Sequence, residues 1–515
     1  MARARMGIEM QKHSLIAVAV ALLAAGCTLA PHYQRPAAPV TATFPTGGVY
    51  DQQPGAQGAR GANGLAAADI GWRDFFVDPR LQQLIEIALK NNRDLRVSVL
   101  NMQASAAQYR IVRAGLFPTL DAAASQSRQR TPRDLLALPN GPTITNTYSV
   151  GLNASWEIDF FGRVQSLKDQ ALATYLGTAQ ARKSAEIALV SQVANQYMTV
   201  LELDDLLKVT QNTLKTAQES FRITRLQFDN GTGSELDLRQ SQTVVETASA
   251  DLQAQMRLRA QADNALVLLI GEPLPADLAP GLPLSDQSLL TDIPAGLPSD
   301  LLTRRPDIME AEENLLAANA NIGAARAAFF PKVTLTGSAG TLSPTLGGLF
   351  KPGSAAWSFA PSITLPIFEG GQNMANLDLA NIEKNVQIAT YEKAIQTAFR
   401  EVADGLAARG TYDEQIAALE RDVAAEQRRL DLSTLRYTSG VDSYLSVLTA
   451  QTSLYEAQQA LVTARMERLQ NLVTLYQALG GGWIEHNGDQ PRPADAPVDY
   501  GAASAPVAAS AATAG

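Results

Sequence analysis

Proline is absent where a chain of 515 residues would ordinarily scatter it: of 26 prolines, none falls between Arg163 and Glu272 or between Ile367 and Gln490. Proline removes a helical hydrogen bond and clashes with the preceding turn, so proline-free stretches of that length imply elongated helices and argue against a string of small packed domains. Histidine is nearly absent too. The three are His13, His32 and His486, all outside the body of the chain, which leaves no imidazole inside it for acid–base or metal chemistry. Cysteine occurs once, at Cys27, which excludes a disulfide framework. Basic clusters are missing from a chain of net charge −9, so nucleic acid is excluded as a partner. Paired carboxylates do occur, Glu312 with Glu313 and Glu157 with Asp159, but no glycine-rich phosphate loop or nucleophile–base pair accompanies them. The first pair reads as helix-surface charge and the second shares one face of a strand. No catalytic residue, metal ligand or cofactor site is therefore assigned, and an enzyme such as a cell-wall hydrolase finds no support.

At the amino terminus, Arg3, Arg5 and Lys12 precede an apolar run of 11 residues from Leu15 to Ala25. A spanning helix needs about 20, so residues 1–26 read as a signal peptide and not as a membrane anchor. The single cysteine ends this run in the string LAAGC. A lone thiol in an exported protein has no partner, and lipid attachment gives it a purpose. The string resembles a bacterial lipobox, with Ala24 where leucine is more usual. That resemblance implies that Cys27 becomes the first mature residue and carries S-diacylglycerol and an N-acyl group. Thr28, which is not aspartate, resembles an outer-membrane sorting signal.

Self-comparison reveals two copies of one unit. RAGLFPTL matches RAAFFPKV at a spacing of 213 residues, in register with Asp94 on Asp307, Arg113 on Arg326 and Pro118 on Pro331. FDNGTGSELDLRQSQT matches YTSGVDSYLSVLTAQT at 209, pairing Gly231 with Gly440, Ser234 with Ser443, Leu236 with Leu445, Arg259 with Arg468 and Gly271 with Gly480. Each copy reads helix, two strands, long helix, turn, long helix. The chain accordingly divides into the signal peptide (1–26), an anchor and equatorial segment (27–80) with a Gly/Ala/Gln-rich linker at 47–68, and a first repeat (81–271). An inter-repeat linker (272–300), a second repeat (301–480) and an equatorial end with a disordered tail (481–515) follow.

From Tyr148 to Asp159 apolar and polar residues alternate without exception, and Phe359, Pro361, Ile363 and Leu365 alternate likewise with Ser358, Ala360, Ser362 and Thr364. Period-two alternation gives one apolar and one polar face; in an outer-membrane barrel the first meets lipid and the second lines a lumen. Strands are expected at 118–128, 148–160, 331–341 and 357–367, the first being the weakest. Four strands cannot close a barrel, since single-chain barrels begin at about eight and an open edge in lipid leaves backbone polar groups unpaired. If these strands span, the chain must oligomerise. The connecting segments TPRDLLALPNGPTITNT and SPTLGGLFKPGSAA have the composition of extracellular loops.

The stretch Arg163 to Asp229 would reach on the order of 100 Å as an α-helix. The return helix carries Leu238, Val245, Leu252, Arg259 and Leu266 at seven-residue spacing, and its copy carries Val447, Leu454, Leu461, Arg468 and Leu475. Small residues run between them at Ser241, Ala248, Ala262, Ala450, Ala457 and Ala464, the pattern of coiled-coil hairpins with close seams. Gly231 and Gly440 mark the hairpin turns, with Ser234 and Ser443 as helix N-caps. Two readings of these tips stand side by side: plain turns, or the docking points of a periplasmic partner.

The motifs CTLAPHYQRPAAP, WRDFFVDPRLQQLIEIALKNNRDL, SWEIDFFGR, LLTRRPDIMEAE, EVADGLAARGTY and LYQALGGGW together resemble the outer membrane factor (TolC-like) family, in its NodT-type, OprM-like branch of efflux lipoproteins. The resemblance spans Cys27 to about Trp483. It implies an α+β membrane protein: a homotrimer whose four strands per chain make a 12-stranded β-barrel continuous with a periplasmic α-helical barrel. It also implies a periplasmic membrane-fusion adaptor and an inner-membrane pump of the RND class as partners, with adaptor contacts at Gly231, Leu236, Gly440 and Leu445. Family members close the periplasmic end with inward carboxylates, which points to Glu426 and Asp431 as the candidate gate. The expected role is passive conduction of drugs and toxic small molecules from the adaptor and pump to the exterior. Two alternatives are a type I protein-secretion duct and a trimeric coiled-coil scaffold without a lumen.

Overall fold

Nine helices and four strands order the described residues of the computed structural model, which are 28–50, 66–135, 142–287, 289 and 298–490. Cys27, most of the 47–68 linker and the tail beyond 490 lie outside them. The entry helices are α1 (Trp72–Phe75), α2 (Pro79–Asn91) and α3 (Arg93–Ala114), followed by β1 (Thr119–Arg130) and β2 (Ile144–Ile158). A hairpin of α4 (Arg163–Asp229) and α5 (Glu235–Ile270) completes the first copy. The second copy repeats the plan with α6 (Pro298–Arg304), α7 (Pro306–Ala327), β3 (Lys332–Ser343), β4 (Ala355–Thr364), α8 (Gln372–Thr438) and α9 (Tyr444–Ala478). The long outward helices α4 and α8 are each 67 residues, and neither contains a proline.

By contacts the chain falls into two compact units that cut across the repeats. Counting described residues alone, one gathers the segment ending at Ala37 with Gln103–Thr178 and Ala311–Tyr391; the other gathers Ala38–Met102, Ala179–Glu310 and the segment from Glu392 to Gln490.

The first unit holds one antiparallel sheet in the order β1-β2-β3-β4. Its strands depart from the alternation at their ends. β2 begins at Ile144, ahead of the expected 148, because β1 runs to Arg130 and pairs with it. It stops at Ile158, short of 160, because the Asp159 carboxylate turns to cap α4, accepting from the backbone of Arg163 and Gln165 at 2.7 Å each. β4 ends at Thr364, short of 367, with Pro366 unable to donate to a ladder. β1, weak by composition, is a full 12-residue strand, since pairing with β2 along its whole length outweighs its Ala/Ser propensity.

In the second unit the apolar core lies where the short helices meet the ends of the hairpins. Phe75, Phe76, Leu81, Leu84, Ile85 and Tyr476 are wholly buried. Phe75 stacks on Tyr476 at 4.1 Å, and the Tyr476 hydroxyl donates to the Ile70 carbonyl at 2.6 Å. Each such aromatic contributes about 1.5–3 kcal/mol by burial, and the hydroxyl avoids the cost of an unmet polar group.

Candidate conduit surfaces and periplasmic tips

Register carries the alternation across all four strands. Leu152 pairs with Ala122 and Ala339, which pairs with Trp357; Ala154 pairs with Leu120 and Gly337, which pairs with Phe359; Ile158 pairs with Val333, which pairs with Ile363. One face of the sheet is therefore a continuous apolar surface, and in the single chain nothing covers it: Trp357 is 80% exposed, Ile363 71% and Phe359 63%. The opposite face carries Asp121–Asn153–Ser338–Ser358 in one row and Ser125–Ser149 in another, with hydroxyl–hydroxyl bonds of 2.7 Å at Ser125–Ser149 and Ser338–Ser358. Glu157 closes this polar face at the α4 end, taking a two-pronged bond from Arg163 at 2.8 Å and an ion pair from Lys332 at 3.1 Å. β1 and β4 each keep one unpaired edge. Such a sheet is stable in lipid only when neighbouring copies pair those edges.

Among the described residues no helix is long and apolar enough to cross a membrane, and no group of three or more His, Cys, Asp or Glu is placed to hold a metal ion.

The two hairpins in the second unit meet along α4 and α9 through a ladder of polar rungs. Gln470 donates to the Asn195 carbonyl and the Thr199 hydroxyl at 3.4 and 3.3 Å, Thr463 donates to Glu202 at 3.0 Å, Thr210 and Tyr455 share a hydroxyl bond of 3.0 Å, and Gln451 donates to Ser220 at 3.1 Å. Burial holds the Glu202 carboxyl above its usual range, and the charge of Glu467 pushes the same way. The last rung ties the tips: the Tyr437 hydroxyl donates to Gln227 at 2.7 Å.

At the tips, Gly231 and Gly440 have φ of +72° and +71°, the left-handed turn that only glycine adopts cheaply. Leu236 and Leu445 project from the first turns of the return helices, 66% and 53% exposed. Ser234 caps α5, accepting from Asp237 at 3.1 Å. Ser443 stands at the same place before α9 but its side chain makes no cap bond, which corrects the expectation. Asp442 instead secures the entry to α9: its carboxylate accepts from the Ser443 backbone at 2.9 Å, the Ser446 hydroxyl at 3.0 Å and Arg436 at 3.2 Å. These bonds hold it below the usual carboxylate range, the Ser443 amide contributing most. The sequence reading missed Asp442 and Tyr437. The signal was present in the repeat, where Gly233 and Phe228 occupy the matching positions of the first copy.

Leu445 also borders a groove of about 730 Å³ between α8 and α9, with Arg428, Leu432, Arg436 and Asp442. Of the two gate candidates, Glu426 is tied to Arg429 on its own helix at 3.1 Å, whereas Asp431 is exposed and, among the described residues, accepts only from the neutral Gln427 amide at 3.0 Å. The lipidation candidate Cys27 lies outside the described residues.

An open sheet with an uncovered apolar face, joined in duplicate to helical hairpins, defines a subunit of an oligomeric outer-membrane channel. The chain belongs to the outer membrane efflux protein family, whose profile matches residues 84–272 and 297–481. It is 50% identical over 477 residues to the probable efflux pump outer membrane protein TtgC of Pseudomonas putida, covering 92% of this chain and 97% of that one. It is 44% identical over 470 residues to the outer membrane protein OprJ of Pseudomonas aeruginosa, covering 91% and 96%. Among solved structures, the open state of the MtrE outer membrane channel of Neisseria gonorrhoeae matches with a TM-score of 0.78 at 42% identity, covering 90% of this chain and all of that one. The protein is thus an outer-membrane efflux channel subunit, contributing four strands to a trimeric β-barrel and its hairpins to a periplasmic helical tunnel.

Proposed function

We propose that the chain is the exit duct of a tripartite efflux pump, receiving cargo from a periplasmic membrane-fusion adaptor and an inner-membrane pump of the RND class. The uncovered apolar sheet face with two open edges is the observation that carries the channel role, and the exposed Leu236 and Leu445 beside the glycine turns support the tips as the adaptor contacts. Relatives are named for toluene, solvent and antibiotic efflux, which supports small apolar toxic compounds as cargo here. Cys27 carries the diacylglycerol and N-acyl group that tether the chain to the membrane. The duct conducts and performs no chemistry of its own, and nucleic acid is no partner. A photo-crosslinker placed at Leu445 in cells should capture an adaptor, and deletion of the chain should lower tolerance to toluene-class solvents; a tip that captures nothing in a solvent-sensitive strain would remove the adaptor assignment.

Asp431 supplies the charge of the periplasmic constriction, three copies ringing the lumen, with Glu426 muted by Arg429. Asp431→Ala should raise the resting conductance of trimers in a planar bilayer and weaken their cation preference. Unchanged conductance and selectivity would take Asp431 out of the gate.

A further inference from the structure

The described chain begins as an extended segment laid along α7 within the first unit. Going backward from Arg35 to Leu29, the contacts climb α7 in order. Arg35 forks onto the Glu312 carboxylate at 2.7 Å through Nε and one terminal guanidinium nitrogen, and the Tyr33 hydroxyl donates to the same group at 3.0 Å. Asn319 donates to the Pro31 carbonyl at 2.8 Å, and Arg326 donates to the Leu29 carbonyl at 3.1 Å. Between those rungs Gly323 lets the segment sit on the helix, since a Cβ there would lie 2.8 Å from the Ala30 nitrogen. Arg326 is one residue short of the end of α7, and β3 leaves five residues later at Lys332.

The repeat supplies an internal control. At the 213-residue spacing, the first copy has Val99 for Glu312, Ala106 for Asn319 and Arg110 for Gly323, and keeps only the arginine, as Arg113. Its helix lacks the carboxylate, the amide and the glycine clearance, and keeps one of the rungs. Glu312, Asn319 and Gly323 are therefore features of the second copy that the helix–strand junction itself, present in both, does not require. That junction level is marked by exposed apolar side chains, with Ile367 92%, Phe368 88% and Phe117 60% exposed, where helices give way to strands.

We infer that residues 29–35 are a strap through which α7 fixes the lipid-bearing amino terminus at the rim where the strands enter the bilayer, so that the anchor and the apolar sheet face meet the membrane together. This rests on the lipidation of Cys27, which one peptide bond joins to Thr28. Freed from α7, a segment of seven residues would let the anchor wander by roughly 20 Å.

The test is a four-way pulse-chase of full-length protein in cells, following conversion to membrane-inserted trimer: wild type, Asn319→Ala/Arg326→Ala, Cys27→Ser, and all three substitutions together. Breaking the strap should slow conversion several-fold in the acylated chain and add nothing once Cys27 is serine. Arg326→Lys, which keeps a cationic donor for the Leu29 carbonyl, should restore most of the rate to the Asn319→Ala background. Equal slowing with and without Cys27 would show that the rungs only support α7, and would overturn the strap, as would wild-type kinetics in the acylated double variant. Mass spectrometry of the mature amino-terminal peptide separates the two claims: an unacylated Cys27 overturns the lipid reading and with it the anchor, while an acylated peptide with strap-independent kinetics overturns the strap alone.

Discussion

The two repeats meet the same structural problem at the same place and solve it with different chemistry. In each, the entry helix breaks and one side chain at the break reaches a carbonyl at the end of the return helix. In the first copy Asn92 donates to the Leu269 carbonyl at 2.8 Å and its side-chain oxygen caps α3 by accepting from Leu95 at 2.8 Å. In the second, Arg305 donates to the Ala478 carbonyl at 2.9 Å, and also grips Asp307 at 2.6 Å and Glu401 at 2.8 Å. The positions correspond at both spacings of the repeat, and Gly271 and Gly480 face the carbonyls of Asn91 and Arg304 in the same way. What the duplication preserved is the acceptor, a helix-end carbonyl; what it let diverge is the donor. The second junction recruits α8 through Glu401, whereas the Asn92 side chain bonds only Leu269 and Leu95 among the described residues.

The largest effect should come from breaking the charged junction. Arg305 is 9% exposed in its side chain, and its two carboxylates are about one third exposed and can be rehydrated, so Arg305→Ala should cost about 2–3 kcal/mol, the range for losing hydrogen bonds to charged groups. Hydrogen exchange should show it as lost protection in the last turn of α9. Asn92→Ala removes one bond and one cap, neither charged, and should cost about 1–2 kcal/mol, read in the last turn of α5. If Asn92→Ala proves as damaging as Arg305→Ala, the charged partners add nothing and the two junctions are energetically one.

The hairpin tips sharpen the contrast on a smaller scale. Ser234→Ala should cost about 1 kcal/mol and fray the first turn of α5, while Ser443→Ala should leave α9 unchanged and Asp442→Ala should fray it. The two tips also differ in pH response. The Asp442 carboxyl is held below its usual range in the fold, so its cap is fully present above the unfolded carboxylate range and is lost as pH falls through the lowered folded value. Acidification should therefore speed exchange of the Ser443 amide at the entry to α9 and leave the Asp237 amide of α5 largely untouched, because the Ser234 cap does not titrate. Equal acid sensitivity at both tips would take the cap away from Asp442.

Much of this architecture is legible in the sequence, and what is not has a physical reason. The absence of proline announces α4 and α8, and the seven-residue series announces the hairpins. Its small members Ser241, Ala248, Ala450, Ala457 and Ala464 are buried, as close seams require. Alternation announces β2 and β4 but not β1, because a strand of alanine and serine owes its existence to its partner. Contacts such as Asn92 with Leu269 join residues 177 apart, and only the fold selects that carbonyl from the others on the helix. Asp442 was missed because the cap lies one residue ahead of the position the first copy uses. The strap escaped notice because its rungs are ordinary residues on two segments nearly 300 positions apart.

The smallest expected difference lies in a pair the duplication kept almost intact. Arg259 bonds Asp204 at 2.6 Å across the first hairpin, and Arg468 bonds Asp413 at 2.6 Å across the second, both spanning 55 residues. Arg259 also pairs with Asp263 and is 22% exposed, whereas Arg468 is 31% exposed and its partner Asp413 is 59% exposed. Water and salt screen the second pair more, so Arg468→Ala should change hairpin stability by no more than about 0.5 kcal/mol, and Arg259→Ala by about 1 kcal/mol. Raising ionic strength should narrow the gap by weakening the Arg259 network, since little remains to be screened at Arg468. A gap that salt leaves unchanged would place the difference in the packing of the arginine stems and not in their charge.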